Sequence, residues 1–142
     1  MYYGNKSTNK MFELISSIHI KNKRNFDKKL KEYKLTSPQY SAINILLENN
    51  KITQKELANI METDSTNIMV ICDSLEKKEL LQRNSNPKDR RSNLLVITEM
   101  GRELHMTISP IIDEMQSKLN NLINPLDIST ITPILKKLHN SL

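Results

Sequence analysis

The stretch Asn86 to Thr98, NPKDRRSNLLVIT, gathers Lys88, Arg90 and Arg91 around a single carboxylate, Asp89. Cations at this density do the chemistry of anion recognition, and arginine adds a planar fork of donors that fits phosphate oxygens. The segment then turns at once into the apolar run Leu94 to Ile97, which places the charge on a turn that leads into a strand. Taken alone, such a run is an ordinary solvated surface. Its neighbours decide whether it is more.

A second group of side chains precedes it. Asp64 is placed to cap the helix STNIMVICDSLEKKEL, whose first residues, Ser65, Thr66 and Asn67, are short and polar. At 100° per residue Ile68, Ile71, Cys72, Leu75 and Glu79 share one side, and Thr66, Met69, Val70 and Asp73 the other. Upstream, ITQKELANIM reads as another capped helix: Thr53 is the N-cap, Glu56 closes the box, and Leu57, Ala58, Ile60 and Met61 are expected to face inward. Only Glu62 and Thr63 separate the two.

Two helices joined by a tight break, then a basic hairpin with apolar segments near 80–83 and 94–97, predict a winged helix-turn-helix. That motif sets the N-terminal part of its second helix in the DNA major groove, where helix dipole and free N–H groups favour phosphates. Asn67 can pair bidentately with adenine; Ser65 and Thr66 are more permissive. A wing tipped with arginine enters a narrow minor groove, whose negative potential is enhanced. Asp89 is expected to hold one guanidinium in a fixed pose, while Lys88 and Arg90 reach the flanking phosphates.

The flanking elements read as helices. Met11, Leu14, Ile15, Ile18, Phe26, Leu30 and Tyr33 recur at helical spacing over residues 9–34, against a face crowded with lysine. So thin a stripe needs a partner to cover it. In LTSPQYSAINILLENN, Thr36 and Gln39 form a capping box, Pro38 falls in the first turn, and Tyr40, Ile43, Leu46 and Leu47 give the buried stripe. Thr98 caps a further helix in which Pro110 is expected to cause a kink or a break, and which Asn124-Pro125 ends. A last helix is predicted over 129–140, with Ser129 or Thr132 as cap and Pro133 as its first residue after Thr132.

The 142 residues suit one domain with helical extensions. Aromatic residues are scarce, there is no Trp, and Leu, Ile and Met abound, a composition for a mostly helical protein that completes its core by oligomerising. The net charge of +5 lies largely in residues 1–52, and 99–142 is slightly acidic. Cys72 is the one cysteine, so no intrachain disulfide or cysteine-based zinc site is available, and its inward position marks it as a small core residue. His19, His105 and His139 lack metal-ligand spacing. No nucleophile–base arrangement, phosphate loop or dinucleotide fingerprint is present, so the chain is not expected to be an enzyme or to need a cofactor. The polar start and the absence of a long apolar run predict a cytoplasmic protein with no membrane association.

LANIMETDSTNIMVICDSLEKKELLQR followed by NPKDRRSNLLVITEMG resembles the MarR family of bacterial transcriptional regulators. The pattern that carries the resemblance is Asp89-Arg90-Arg91, a strand, then Ile97-Thr98-Glu99-Met100-Gly101. The resemblance implies a homodimer that acts, commonly as a repressor, on pseudo-palindromic operators in double-stranded DNA. Residues 36–98 would be the DNA-binding domain, and 1–35 with 99–142 the helical dimerisation region. It places Ser65, Thr66, Asn67, Met69 and Val70 at the bases and Asp89 with Arg91 at the wing tip; Lys88, Arg90, Thr53 and Gln54 join the candidate DNA contacts. Many members release DNA on binding a small-molecule effector, for which His19 and Tyr33 are the candidates. Two departures stand out. No Lys or Arg lies between Lys55 and Lys77, and Met69 and Val70 occupy outward positions that are commonly polar. They motivate an alternative, a winged-helix module that binds a protein partner.

Overall fold

Local capping chemistry starts each helix of the winged segment where the sequence says it should. The computed structural model describes residues 6–142. The first five residues of the 1–35 segment lie outside the described residues.

Helix α1 spans Lys6–Leu30 and passes into a 3-10 turn, Lys31–Tyr33. The expected continuous helix to residue 34 therefore tightens three residues earlier, because Lys34 takes a left-handed conformation (φ 56°). Along α1 only Leu30, at its end, is buried. Asp27 fixes that end, accepting from the Ser37 backbone N–H at 3.2 Å and from the Ser37 hydroxyl. Helix α2, Ser37–Glu48, carries the expected Thr36–Gln39 capping box and buries Tyr40, Ile43 and Leu46; Leu47 is half-buried.

A two-residue strand, β1 (Ile52–Thr53), precedes α3 (Gln54–Ile60), and α4 follows as Ser65–Lys77. Both caps form as read: Thr53 with Glu56, and Asp64 accepting from the Asn67 N–H. Leu57 and Ala58 are buried, but Ile60 is exposed and Met61 only half-buried. Ile60, the last residue of α3, lies about 200° around the helix from Ala58 at 100° per residue, and Met61 is the cap where the helix ends. In α4, Ile68, Cys72 and Leu75 are buried and Ile71 is half-buried. Glu79 leaves the inward cluster, since the helix ends at Lys77 and Glu79 is exposed with φ 59°.

Left-handed residues other than glycine end three of these segments. Lys34, Glu62 and Glu79 adopt positive φ, and the next N–H in each case returns to a carbonyl five residues back: Leu35 to Leu30, Thr63 to Ala58, Leu80 to Leu75. This 6→1 closure satisfies the orphan carbonyls of a helix end, usually with glycine. Here Leu35 and Leu80, each just past a turn, are buried, and that burial offsets a conformation that costs about 1–2 kcal/mol for an L-residue.

Strands β2 (Leu81–Ser85) and β3 (Asn93–Ile97) form the expected hairpin, Leu81 facing Ile97 and Ser85 facing Asn93. The sheet has a third strand that the sequence did not reveal: β1 pairs antiparallel with β3, Ile52 opposite Leu95 and Thr53 opposite Leu94, in the order β1-β3-β2. The wing is thereby anchored to the start of α3. Helix α5, Glu99–Asn120, runs unbroken through Pro110, whose missing hydrogen bond is one among many in 22 residues. Helix α6 spans Pro125–His139, four residues earlier than expected. Asn124-Pro125, read as a stop, is also a start: Asn124 and Asp127 form a capping box with proline in the first turn. Pro133 consequently lies inside the helix.

The described chain divides into two compact units, one ending at Met106 and one running from Thr107 to Leu142. The first holds a core in which Ile43, Leu57, Ile68, Leu75, Leu81 and Leu95 are fully buried. Large apolar side chains remain in the open on α1, where Met11, Phe12, Leu14, Ile15, Ile18 and Ile20 are 37–64% exposed. On α6, taken by itself, Leu126, Ile128, Ile131, Ile134 and Leu135 are 44–77% exposed.

Candidate nucleic-acid interface

The wing tip is built from two successive turns, each closed by a short polar side chain. Pro87 presets the first. There the Asn86 side-chain oxygen accepts the Lys88 N–H at 3.0 Å, and the Asp89 N–H returns to the Asn86 carbonyl at 3.3 Å. In the second, the Asp89 carboxylate accepts the Arg91 N–H at 2.9 Å and the Ser92 N–H returns to the Asp89 carbonyl at 3.2 Å. A bond from the Asn86 amide to the Ser92 hydroxyl, 2.9 Å, ties the ends together. Asp89 therefore fixes the backbone of Arg91, not a guanidinium as the sequence reading had it. A carboxylate two residues before a backbone N–H makes that local bond first. Among the described residues, no ion pair engages Lys88, Arg90 or Arg91, and all three are exposed.

Thr53, Gln54, Asp89 and Arg91 are brought together. With Lys55, Ser92 and Asn93 they line a recess of about 350 Å³ between the wing and the start of α3. Thr53 is largely committed as a cap, accepting the Glu56 N–H at 3.2 Å and donating to its carboxylate at 3.0 Å. The Thr53 backbone N–H also donates to that carboxylate, at 2.7 Å, and this bond and then the one from the hydroxyl hold the Glu56 carboxyl below the usual carboxylate range. Lys55 was missed by the sequence reading. Its link to the wing runs through β1, a strand too short to leave a periodic signal.

Arg83 lies on β2, just before the wing tip, and its charge is used inside the domain. Its side chain is only 16% exposed. Nη2 donates to Asp73 at 2.6 Å, Nη1 to Glu76, and Nε to the Gln54 side-chain oxygen at 2.8 Å. Burial works against its charge, but the hydrogen bonds it donates to the two carboxylates outweigh that and raise its pKa. One guanidinium thus joins β2, α4 and the head of α3, and engages Gln54. Nothing local marks this, because the partners lie ten, seven and 29 residues away.

Helix α4 is also fixed from α2. The buried Gln39 donates to the Ser74 hydroxyl at 2.9 Å and accepts from the Thr36 N–H and from Lys78 Nζ. Burial lowers the pKa of Lys78. Held this way, α4 turns Ser65, Thr66, Asn67, Met69 and Val70 outward, all exposed. Asn67 donates through its amide to Thr63 at 3.3 Å.

Cys72 is buried, and its desolvation pushes the thiol up to about 11. His105 stacks on Tyr40, ring centroids 5.7 Å apart, with Nε2 2.6 Å from the Asn44 side-chain oxygen. His19 is exposed on α1 and Tyr33 half-buried beyond its end. They are fourteen positions apart along the chain, roughly 20 Å at about 1.5 Å per residue, so one small ligand does not touch both within a single chain. Among the described residues, no three His, Cys, Asp or Glu side chains converge as a metal site, and no helix is long and apolar enough to cross a membrane.

Residues 35–93 match the model of the MarR family. The chain is 31% identical over 96 residues to an uncharacterized HTH-type transcriptional regulator, YdcH of Bacillus subtilis, and the match covers 65% of each chain. It covers 63% of another relative's length, a putative transcriptional regulatory protein for the hcr operon of Thauera aromatica, at 25% identity over 74% of this chain. The chain thus spans a little under two thirds of the length of both. Among solved structures, AbsC, a MarR family transcriptional regulator from Streptomyces coelicolor, superposes with a TM-score of 0.91 over 99% of this chain and 97% of its own, at 18% identity. The Staphylococcus aureus MepR–DNA complex superposes with a TM-score of 0.84 over 91% of this chain and 95% of its own, at 23% identity. These superpositions establish the winged helix-turn-helix fold.

Proposed function

We propose, from the premise that this chain carries a MarR-family domain over residues 35–93, that it is a transcriptional regulator that binds double-stranded DNA. It acts as a cytoplasmic homodimer, commonly in the sense of a repressor, on pseudo-palindromic operators. The observation that carries this reading is the pairing of two surfaces. One is a wing with three exposed, unpaired cations on a rigid double turn. The other is a capped helix, α4, that presents short side chains outward. The cations supply phosphate affinity and the helix supplies base contacts.

Dimerisation is supported by the uncovered apolar faces of α1 and of α6. Each sets several large apolar side chains side by side in water, and contiguous apolar surface of this kind marks interaction sites. In this reading 1–35 and 99–142 provide the seam, and 36–98 the DNA-binding domain. Sedimentation should give twice the mass of the chain. Release by a small-molecule effector belongs to the same reading, with His19 or Tyr33 as the candidate contact.

Selection from a random duplex pool at physiological salt tests the reading. The expected product is an inverted repeat with half-site centres roughly 10 bp apart. A pool that stays random would overturn it. The exposed Met69 and Val70 would then favour the second reading, a protein-binding module.

A further inference from the structure

We infer that α4 reads A·T base pairs through thymine 5-methyl groups, contacted by Met69 and Val70. This rests on the DNA-binding reading above and names what that site recognises.

The major groove offers a small set of base-specific partners, and the structure removes most of them. Guanine is read by Arg or Lys at O6 and N7. No such residue lies on α4 before Lys77. Cytosine N4 is read by a carboxylate. The two on the outer part of α4, Asp73 and Glu76, are both held by Arg83. Adenine is read by an amide, and α4 offers one at its outer start, Asn67, which donates once to Thr63 at 3.3 Å. What remains is the A·T pair, adenine through Asn67 and thymine through the methyl group it carries in that groove.

Met69 and Val70 are 47% and 59% exposed. They lie on a helix whose inner positions, Ile68, Cys72 and Leu75, are fully packed, so they are surplus to the core. Val70 also borders a recess with Thr36, Pro38, Met61, Asn67 and Ile71, which continues the apolar surface toward α2. Arg83 completes the arrangement. It pairs with the two carboxylates that would otherwise face a phosphate backbone, and offsets one of their two negative charges. The wing cations flank this surface and draw a polyanion to it.

The test uses the full chain and the duplex recovered by selection, prepared with thymine or with uracil, which keeps the hydrogen-bonding edge and lacks the methyl. Uracil in the half-sites is expected to weaken binding about fourfold for each methyl that is buried. Uracil confined to the flanks should leave affinity unchanged. The Met69→Ala/Val70→Ala double variant is expected to bind thymine and uracil duplexes alike. Equal affinity of the wild-type chain for both duplexes, or a selected half-site built of G·C pairs, would overturn the inference while leaving DNA binding intact. A pool that remains random overturns the DNA-binding reading itself, and this inference with it.

Discussion

The Arg83 guanidinium on β2 lies 2.6 Å from the Asp73 carboxylate on α4 and grips Glu76 three residues further along that helix. A charge that looks like part of a DNA-binding cluster is spent inside the domain, where it sets the recognition helix against the base of the wing.

Arg83→Gln should therefore lower stability by about 1–2 kcal/mol, a discounted figure because both carboxylates are well exposed. It should also weaken DNA binding, since two freed carboxylates would face phosphate. Urea melts and anisotropy titrations measure the two effects. A variant unchanged in both would reduce the clasp to surface decoration.

Gly101 starts α5 against the sheet. A Cβ there would lie 2.5 Å from the Leu80 carbonyl oxygen and 2.7 Å from Ile97 Cγ2. Alanine would gain up to about 1 kcal/mol of helix propensity. The obstructing oxygen is backbone and cannot swing aside, so overpacking, typically about 1–3 kcal/mol, should prevail. Gly101→Ala is expected to lower the melting temperature; a rise would contradict the packing account.

Cys72 should resist alkylation in the folded protein. With its thiol at about 11, almost no thiolate exists at pH 8, and the side chain is buried. The raised value favours the protonated folded state up to the ordinary 9.0, and that contribution is lost as pH climbs from there toward 11. Iodoacetamide labelling at pH 8 should follow the unfolding curve. Labelling of native protein at the rate of a free thiol would refute this.

Asp27 links α1 to the start of α2. Hydrogen bonds from Lys23, first, and from Ser37 hold its carboxyl below the ordinary 3.8. A depressed carboxylate stabilises the fold above that value, and its contribution disappears as pH falls through the folded pKa. Asp27→Asn should thus be less stable than wild type at pH 7, with the gap closing below pH 3.8. A gap independent of pH would point to packing alone.

Arg91→Ala should weaken binding to a selected duplex by roughly 1–3 kcal/mol if the side chain makes a specific contact. If it instead meets a phosphate, the log–log salt slope should fall by about 0.9. No change in either would remove Arg91 from the interface.

Signals within a few residues of each other were legible in the sequence. Thr36 with Gln39, Thr53 with Glu56, and Asp64 before Asn67 each state a helix start within four residues, and all three form. The short apolar segments near 80–83 and 94–97, on either side of a polar stretch, marked the hairpin. What escaped was either long-range or had more than one reading. Arg83 and Gln54 meet across 29 residues. Strand β1 is two residues long and doubles as a cap. Asn124-Pro125 serves equally as a helix stop or start. The left-handed turns at Lys34, Glu62 and Glu79 carry no glycine to announce them. At the candidate site the cations of the wing were legible, whereas the fate of Asp89's carboxylate depended on turn geometry.

The measurement that bears most directly on sequence-specific DNA binding is a competition titration at physiological salt. A labelled duplex carrying the selected inverted repeat would be challenged with the same unlabelled duplex or with a scrambled duplex of equal composition. The account predicts that the scrambled duplex competes at least about a thousandfold less well. Equal competition by the two would contradict it.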